Sequence, residues 1–484
     1  MKFYRYTKIT LLLTVALTVL FVQSCKDYRV EPSRLTVSEF DNNVYLTWNK
    51  LFLELDRYAV GYRPGPVPHA LGYLGFASYE AIVPGMSGYN SLANLYPQLA
   101  MPKFDEELDY HWPTVVNEVY AFLMTRFFFH METEYADLFA KVEQTHQILS
   151  DQYAAETTPE IFERSKQRGI AVAQAFYEWE KLDVSAHNAF LNPQPPYNAP
   201  QGPGYWAPTV PDFVHALFPF WGQVRTFALS ENEQLAKPPI PYSEDPQSLF
   251  YNQALEPYSL VNLINKPNKT PQEQQIAYEQ KWLAEFWSDD ILGLTFSPPA
   301  RLIAVANQVV ELENINLEES AELYAKLGMA LNDISVGLWQ SKYVYNVERP
   351  VSYIRRVVSQ QYPEAANWVT ILNNPTTGFQ GVTPAFPGYP SGHSGFGGAG
   401  SKILSSIFEF NGKHPGTYTL VDKCHQGRVE FLSEPRTLSS FAELGREDAY
   451  SRVPLGVHFR MDCDEGLRMG ELAAQRVLEL PWKQ

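Results

Sequence analysis

The chain has 484 residues, enough for several domains or for one large one with a sizeable core. Lys and Arg number 38 against 54 Asp and Glu, a formal charge of −16, which argues against nucleic acid and against an anionic membrane surface as the main partner. A local convergence of cations is therefore informative, because the field of the whole protein does not favour anions.

Lys2, Arg5 and Lys8 precede an apolar run from Ile9 to Val22, after which Ser24 leads into Cys25. The run is short for a spanning helix and suits a secretory signal. Its ending, VQSC, resembles a bacterial lipobox. That resemblance implies a signal peptide over 1–24, lipidation at Cys25, a polar tether over 25–40 and a protein held in the bacterial cell envelope by its lipid alone. Gln23 departs from the small or apolar residue usual in a lipobox. An ordinary signal cleaved nearby and an uncleaved anchor are the alternatives.

Further along, helical periodicity marks 70–84, 113–130, 134–152, 158–182, 270–288, 300–312 and 317–346. In the last of these, Leu323, Leu327, Leu331, Ile334 and Leu338 recur at threes and fours and define one buried face. Alternating strands are nearly absent, and the Pro-rich stretches 193–212 and 236–246 read as long ordered loops. With 29 Phe, 29 Tyr and 10 Trp, the expectation is an aromatic-rich, all-α protein. Cys424 and Cys463 could pair in an oxidising compartment, but no spacing suggests a zinc site.

Three segments carry the chemistry. In WQSKYVYNVERPVSYIRR, Lys342 and Arg349 lie seven apart, so on a continuing helix both project to one side before Pro350 ends or bends it. In FPGYPSGHSGFGGAG, Pro390 and Ser391 read as a helix start, and Gly392 lets backbone approach a ligand closely. A helix start offers unpaired N–H groups and partial positive charge to an anion, with His393 beside it. In SRVPLGVHFRMDCDEG, Arg452 is expected in a loop broken by Pro454 and Gly456, and His458 opens a helix with Asp462 four residues on. That spacing lets the carboxylate hold one imidazole nitrogen and leave the other free. Each segment alone is commonplace. Together they assemble the groups that a tetrahedral oxyanion needs on its way to five-coordination: three cations, a helix start, a nucleophile and an acid.

The order Lys-x6-Arg-Pro, Pro-Ser-Gly-His, Ser-Arg-x5-His-x3-Asp resembles the signature of the type 2 phosphatidic acid phosphatase and vanadium haloperoxidase superfamily. The resemblance implies two packed helical bundles with long ordered loops and the site in the C-terminal one, with halves at 41–310 and 311–484. It implies that Lys342, Arg349 and Arg452 hold equatorial oxygens with Ser391 and the Gly392 N–H. His458 would be the axial ligand of vanadate or the nucleophile towards phosphorus, steadied by Asp462, and His393 the acid–base opposite. Trp339 and Phe386 match an aromatic pair lining the halide site of the chloroperoxidase type. PGYWAPT, PFWGQVRTFAL and AEFWSDD resemble blocks of bacterial haloperoxidase-like proteins, and Asp289 or, equally on spacing, Asp290 would steady an equatorial arginine. The gap from His393 to Ser451 is longer than usual, which implies a larger loop.

Length and the aromatic pair favour a haloperoxidase with vanadate as cofactor and peroxide and halide as small-molecule substrates. The alternative is a phosphatase working on a phosphate ester through a phosphohistidine in the same pocket, with no cofactor. A non-catalytic envelope lipoprotein is the remote third reading, and it leaves the oxyanion constellation unexplained.

Overall fold

The structure, a computed structural model, describes residues 35–409 and 417–484. The expected signal peptide, Cys25 and the tether up to residue 34 lie outside the described residues. Val37 is fully buried, and the Phe40 carbonyl accepts from Leu317 N–H at 2.9 Å, so packed chain begins at Thr36 and not after residue 40.

The first part of the chain forms α1 (Asn43–Tyr58), α2 (Pro66–Ile82), α3 (Trp112–Phe127), α4 (Lys141–Glu156) and α5 (Pro159–Glu180). After a long irregular stretch come α6 (Leu249–Asn265), α7 (Pro271–Phe286) and α8 (Pro298–Glu313). The rest is α9 (Leu317–Tyr345), α10 (Pro350–Arg356), α11 (Gly392–Phe408), α12 (Phe441–Leu455) and α13 (Arg460–Leu478). One antiparallel ribbon, β1 (Leu420–Asp422) with β2 (Arg436–Leu438), is the only sheet among the described residues. The protein is all-α, as its periodicity predicts.

Local chemistry sets the boundaries. Proline opens α2, α5, α7, α8 and α10, where its missing N–H costs no helical bond. Thr270 and Asn316 cap α7 and α9, accepting from Glu273 N–H at 3.3 Å and Glu319 N–H at 2.9 Å. The helix expected from 134 starts only at Lys141, because 131–139 forms two single turns separated at Tyr135. Three long helices, α1, α6 and α12, were anticipated by neither periodicity nor motif. In α1 the signal was present, with Val44, Trp48, Leu51, Phe52 and Leu55 buried on one face. In α6 it was obscured by an interior proline, Pro257.

α9 is the central element. It packs against α2 on one side and against α11 and α13 on the other, which ties the two helical layers into one core. These contacts are backbone-close: a Cβ on Gly328 of α9 would sit 2.3 Å from the Leu71 carbonyl oxygen of α2. On the other side, a Cβ on Gly470 of α13 would sit 2.1 Å from the Gly395 carbonyl oxygen of α11. Neither backbone can yield without separating its helices.

Gly470→Ala is therefore expected to destabilise the fold by about 2 kcal/mol, within the usual cost of overpacking. Urea unfolding should display a lower midpoint at unchanged slope; an unaltered midpoint would mean that the α11–α13 crossing is looser than described.

Candidate active site

Four short segments converge at the start of α11, and three are placed by breaks in helices. α9 ends at Asn346, which takes the left-handed conformation (φ 53°). Arg349 is consequently not on α9, as a continuing helix would require, but at the N-cap of α10. The Pro-rich stretch holds this break in place: Trp206 N–H donates to Asn346 O at 2.8 Å and Glu348 N–H to Gly204 O at 2.9 Å. Ser391 caps α11, accepting from Ser394 N–H at 3.4 Å, and its own N–H donates to Asp462 O at 2.8 Å. Arg452 lies in the last turn of α12 and not in a loop, because Pro454 is accommodated inside that helix. Gly456 (φ 90°) then turns the chain, so that His458 stands just before α13 and Asp462 at its third residue.

All the basic groups are buried. Lys342, Arg349 and Arg452 are each 0% exposed, and His393 and His458 are 6% and 2% exposed. The Lys342 ammonium donates to Pro387 O and Gly388 O at 3.0 Å each, and to Pro390 O. A buried ammonium needs an acceptor for every proton, and here three carbonyls supply them. Lys342 thus clamps the 387–390 loop and, like Arg349 and Ser391, is not among the residues that line the cavity itself. Arg349 donates through Nε to Phe386 O at 3.0 Å and through Nη1 to Val457 O at 2.9 Å and His458 Nε2 at 2.9 Å. His458 Nδ1–H donates to Asp462 at 3.0 Å, which fixes the tautomer with the lone pair on Nε2.

The carboxylate on Arg452 is Asp290, which accepts from Nη2 at 2.9 and 2.8 Å through its two oxygens. Asp289, the other candidate, also lines the cavity but has different neighbours. It lies 4.0 Å from Arg301 Nε and 3.3 Å from His425 Nε2. Spacing alone could not tell which of the two carboxylates meets Arg452. Arg301 also donates to Asp422 at 2.7 Å, so β1 and the loop after it, in the long gap before Ser451, brace this segment from behind. From α1, Asp56 accepts from Ser297 N–H at 2.6 Å, and Arg57 O from Gly293 N–H at 2.7 Å. Neither Arg301, Asp422, His425 nor Asp56 was distinguished in sequence, since none lies in a motif.

Three buried guanidinium nitrogens at this convergence, Arg349 Nη2 and Arg452 Nε and Nη1, have no protein hydrogen-bond partner, and neither does the ring nitrogen His393 Nε2. Unsatisfied buried guanidinium groups are costly, and an oxyanion is the ligand that satisfies them. His393, Arg452, His458 and Gly392 line a cavity of about 460 Å³ together with Trp339 and Phe386. The Trp339 and Phe386 rings pack at 5.0 Å, and the Arg349 guanidinium sits 5.1 Å from the Phe386 ring centroid. Cys424 and Cys463 are both free thiols.

Burial, then the Arg452 charge, lower the His393 pKa to about 3 despite Asp290. Burial, followed by Arg349, Lys342 and Arg452, holds His458 well below the usual imidazole range. Both rings are neutral near pH 7. Burial opposes the charge on Asp290, but Arg452 and His393 outweigh it and keep the carboxyl low. Asp462 is pushed up to about 7 by burial, with Lys342 and the Phe459 N–H pulling the other way.

Fold and site together define an all-helical protein in which guanidinium groups, a helix start and two histidines converge on one cavity. Residues 322–481 match the family described as VCPO second helical-bundle domain. Vanadium chloroperoxidase of Curvularia inaequalis is 27% identical over 341 residues, covering 62% of this chain and 53% of that protein. The match therefore spans about half the length of that relative. The crystal structure titled as the first bacterial vanadium-dependent iodoperoxidase superposes with a TM-score of 0.73 at 24% identity, covering 91% of this chain and 96% of that one. A holo-type bacterial vanadium-dependent chloroperoxidase gives 0.62 at 14% identity, over 91% and 97%. These likenesses support a relationship to the vanadium-dependent haloperoxidases, whose fold this chain shares.

The low pKa of His393 has a measurable sign. A dianion beside it raises that pKa, so binding near pH 6 draws a proton onto the protein, and affinity rises as pH falls. Sulfate does not titrate in this range. Calorimetry in buffers of different ionisation enthalpy should register net proton uptake with sulfate, abolished in His393→Asn; equal uptake in that variant would remove His393 from the anion's surroundings.

Proposed function

We propose that the protein is a vanadium-dependent haloperoxidase that oxidises halide with hydrogen peroxide. One observation carries the reading: the partnerless nitrogens of Arg349, Arg452 and His393 converge beside the Nε2 lone pair of His458, against the Trp339–Phe386 aromatic pair. The donor set fits vanadate, a tetrahedral oxyanion with an affinity for imidazole nitrogen. His458 Nε2 would ligate it, while Arg349, Arg452, the Gly392 N–H and the Ser391 hydroxyl hold its oxygens. When bound, vanadate supplies Lewis-acid activation of peroxide. Lys342 contributes by pinning the loop that carries Phe386 and Ser391, and by its charge. Asp462 keeps the His458 proton on Nδ1, and Asp290 orients Arg452 across the site from His393. His393, neutral at rest, accepts a proton and returns it at Nε2.

A second reading uses the same groups. His458 Nε2, with its tautomer set by Asp462, attacks the phosphorus of a phosphate ester; the P–N bond forms as the P–O bond to the alcohol breaks, and protonated His393 donates to the leaving oxygen. Water then releases phosphate from the histidine. The cavity beside the cradle, which has room for a leaving group, supports it. Attachment to the bacterial envelope through a lipid on Cys25 is part of the proposal and rests on the amino-terminal sequence; among the described residues no helix is long and apolar enough to cross a membrane.

The deciding assay pairs halogenation by orthovanadate-loaded protein, with peroxide and iodide, bromide or chloride, against phosphate release from p-nitrophenyl phosphate without vanadate. Vanadate-dependent halogenation that falls at least about 100-fold in His393→Ala, the scale of a lost acid–base group, and disappears in His458→Ala is expected. Phosphate release blocked by vanadate, with no halogenation, would establish the phosphatase instead.

A further inference from the structure

The cavity is larger than its oxyanion. A tetrahedral oxyanion has five heavy atoms, whereas about 460 Å³ lies in the range of roughly 300–1,000 Å³ that small organic ligands occupy. His393, Arg452, His458 and Gly392 form one end of it. Much of the remaining wall is apolar: Ile291, Leu372, Val382 and Phe396 line it and are buried, and Val214 and Leu217 line it from the 210–220 loop. Val214 and its neighbour Phe213 keep 38% and 57% of their surface in water, so apolar surface continues out to the mouth. Peroxide, halide and inorganic phosphate give such a wall nothing to bind.

Charge narrows the occupant. Away from the cradle the wall carries Asp212, Asp289 and Arg63; Arg63 is paired with Asp56 at 3.4 Å and donates through Nη2 to the Thr295 carbonyl, while its Nε and Nη1 have no protein partner. Arg63 is the one cation lining that part, its charge is offset by Asp56, and the two carboxylates disfavour an anionic group. We infer that this part of the cavity binds an uncharged, apolar organic group about the size of a substituted aromatic ring, held against the oxyanion cradle. The inference rests on the oxyanion reading and deepens it: the enzyme selects an organic substrate by its apolar body and does not act on small inorganic ions alone.

The test compares the affinities of inorganic phosphate, methylphosphonate and phenylphosphonate for the full chain by calorimetry. Phenylphosphonate should bind at least about tenfold more tightly than methylphosphonate, since even one methylene in an apolar pocket is worth that much. Val214→Asp, a half-exposed position outside the cradle, should erase the preference and leave phosphate affinity unchanged. Equal affinity for the two phosphonates, with phosphate bound, would overturn the inference alone. A preference that survives Val214→Asp would place the ring elsewhere and overturn it too. If phosphate itself fails to bind, the oxyanion reading falls and takes the inference with it. Saturable binding of anisole to the phosphate-loaded protein would further support the site and make the organic group a separate molecule. Without it, the tenfold preference supports the site as the place of an ester's own group.

Discussion

Three cations buried within one small volume repel one another, and the rest of the structure serves to hold them there. Each is stabilised differently. Lys342 gives its protons to three carbonyls of the 387–390 loop, Arg349 gives two donor nitrogens to Phe386 O and Val457 O, and Arg452 is paired with Asp290. Only the last pairing neutralises charge. The other two exploit backbone dipoles, which orient a cation without cancelling it and so preserve its attraction for an anion. A chain with formal charge −16 thereby keeps a positive interior site.

This arrangement explains why so much of the protein lies outside the signature residues. The dipoles must be fixed, and each is carried by irregular chain: the 346–349 break, the 386–390 loop and the 456–458 turn. Irregular backbone is soft unless its polar groups are tied down. The Pro-rich stretch binds the first break through Trp206 and Gly204, and Lys342 itself ties the second. Asp290 depends on a longer chain of support, in which Asp56 and Arg57 from α1 hold the 293–297 segment while Arg301, Asp422 and His425 hold Asp289 next door. Asp333 works in the same way at a distance, accepting three backbone N–H bonds from Phe227, Ala228 and Leu229 and fastening that loop to α9. The amino-terminal half is a mould for the loops of the other.

What was legible in the sequence follows the same division. Long helices announce themselves because burial of one face imposes a period, as in Leu323 to Leu338. The oxyanion groups were legible because three unusual residue combinations recur in a fixed order. The means of placing them was not. Lys342 and Arg349 suggested two turns of one helix, yet Asn346 ends it between them; a left-handed asparagine is a permitted stop, not an obligatory one. Pro454 suggested a loop, yet at a helix end it forfeits little, and Arg452 remains helical. Asp289 and Asp290 were indistinguishable because their difference lies in which distant residues the fold brings to each. Asp422 and His425 carried no signal at all, since the residues they meet, Arg301 and Asp289, are more than a hundred residues away.

The contact between Arg349 Nη1 and His458 Nε2, at 2.9 Å, bears on how the site is switched on. That nitrogen is the lone pair on which both chemistries depend, and a guanidinium proton covers it. Nothing can bond to Nε2 until Arg349 releases it. An oxyanion entering the cradle offers Arg349 negatively charged oxygens, and charge-assisted N–H···O bonds are roughly twice as strong as neutral ones. The trade costs little, because Arg349 Nη2 has no partner to lose and its bonds to Phe386 O and Val457 O can persist. On the proposed function, binding of the anion and uncovering of the nucleophile would be one event. The histidine would be exposed only when the group it must bond to is present, with Arg349 passing from shielding the lone pair to holding its partner.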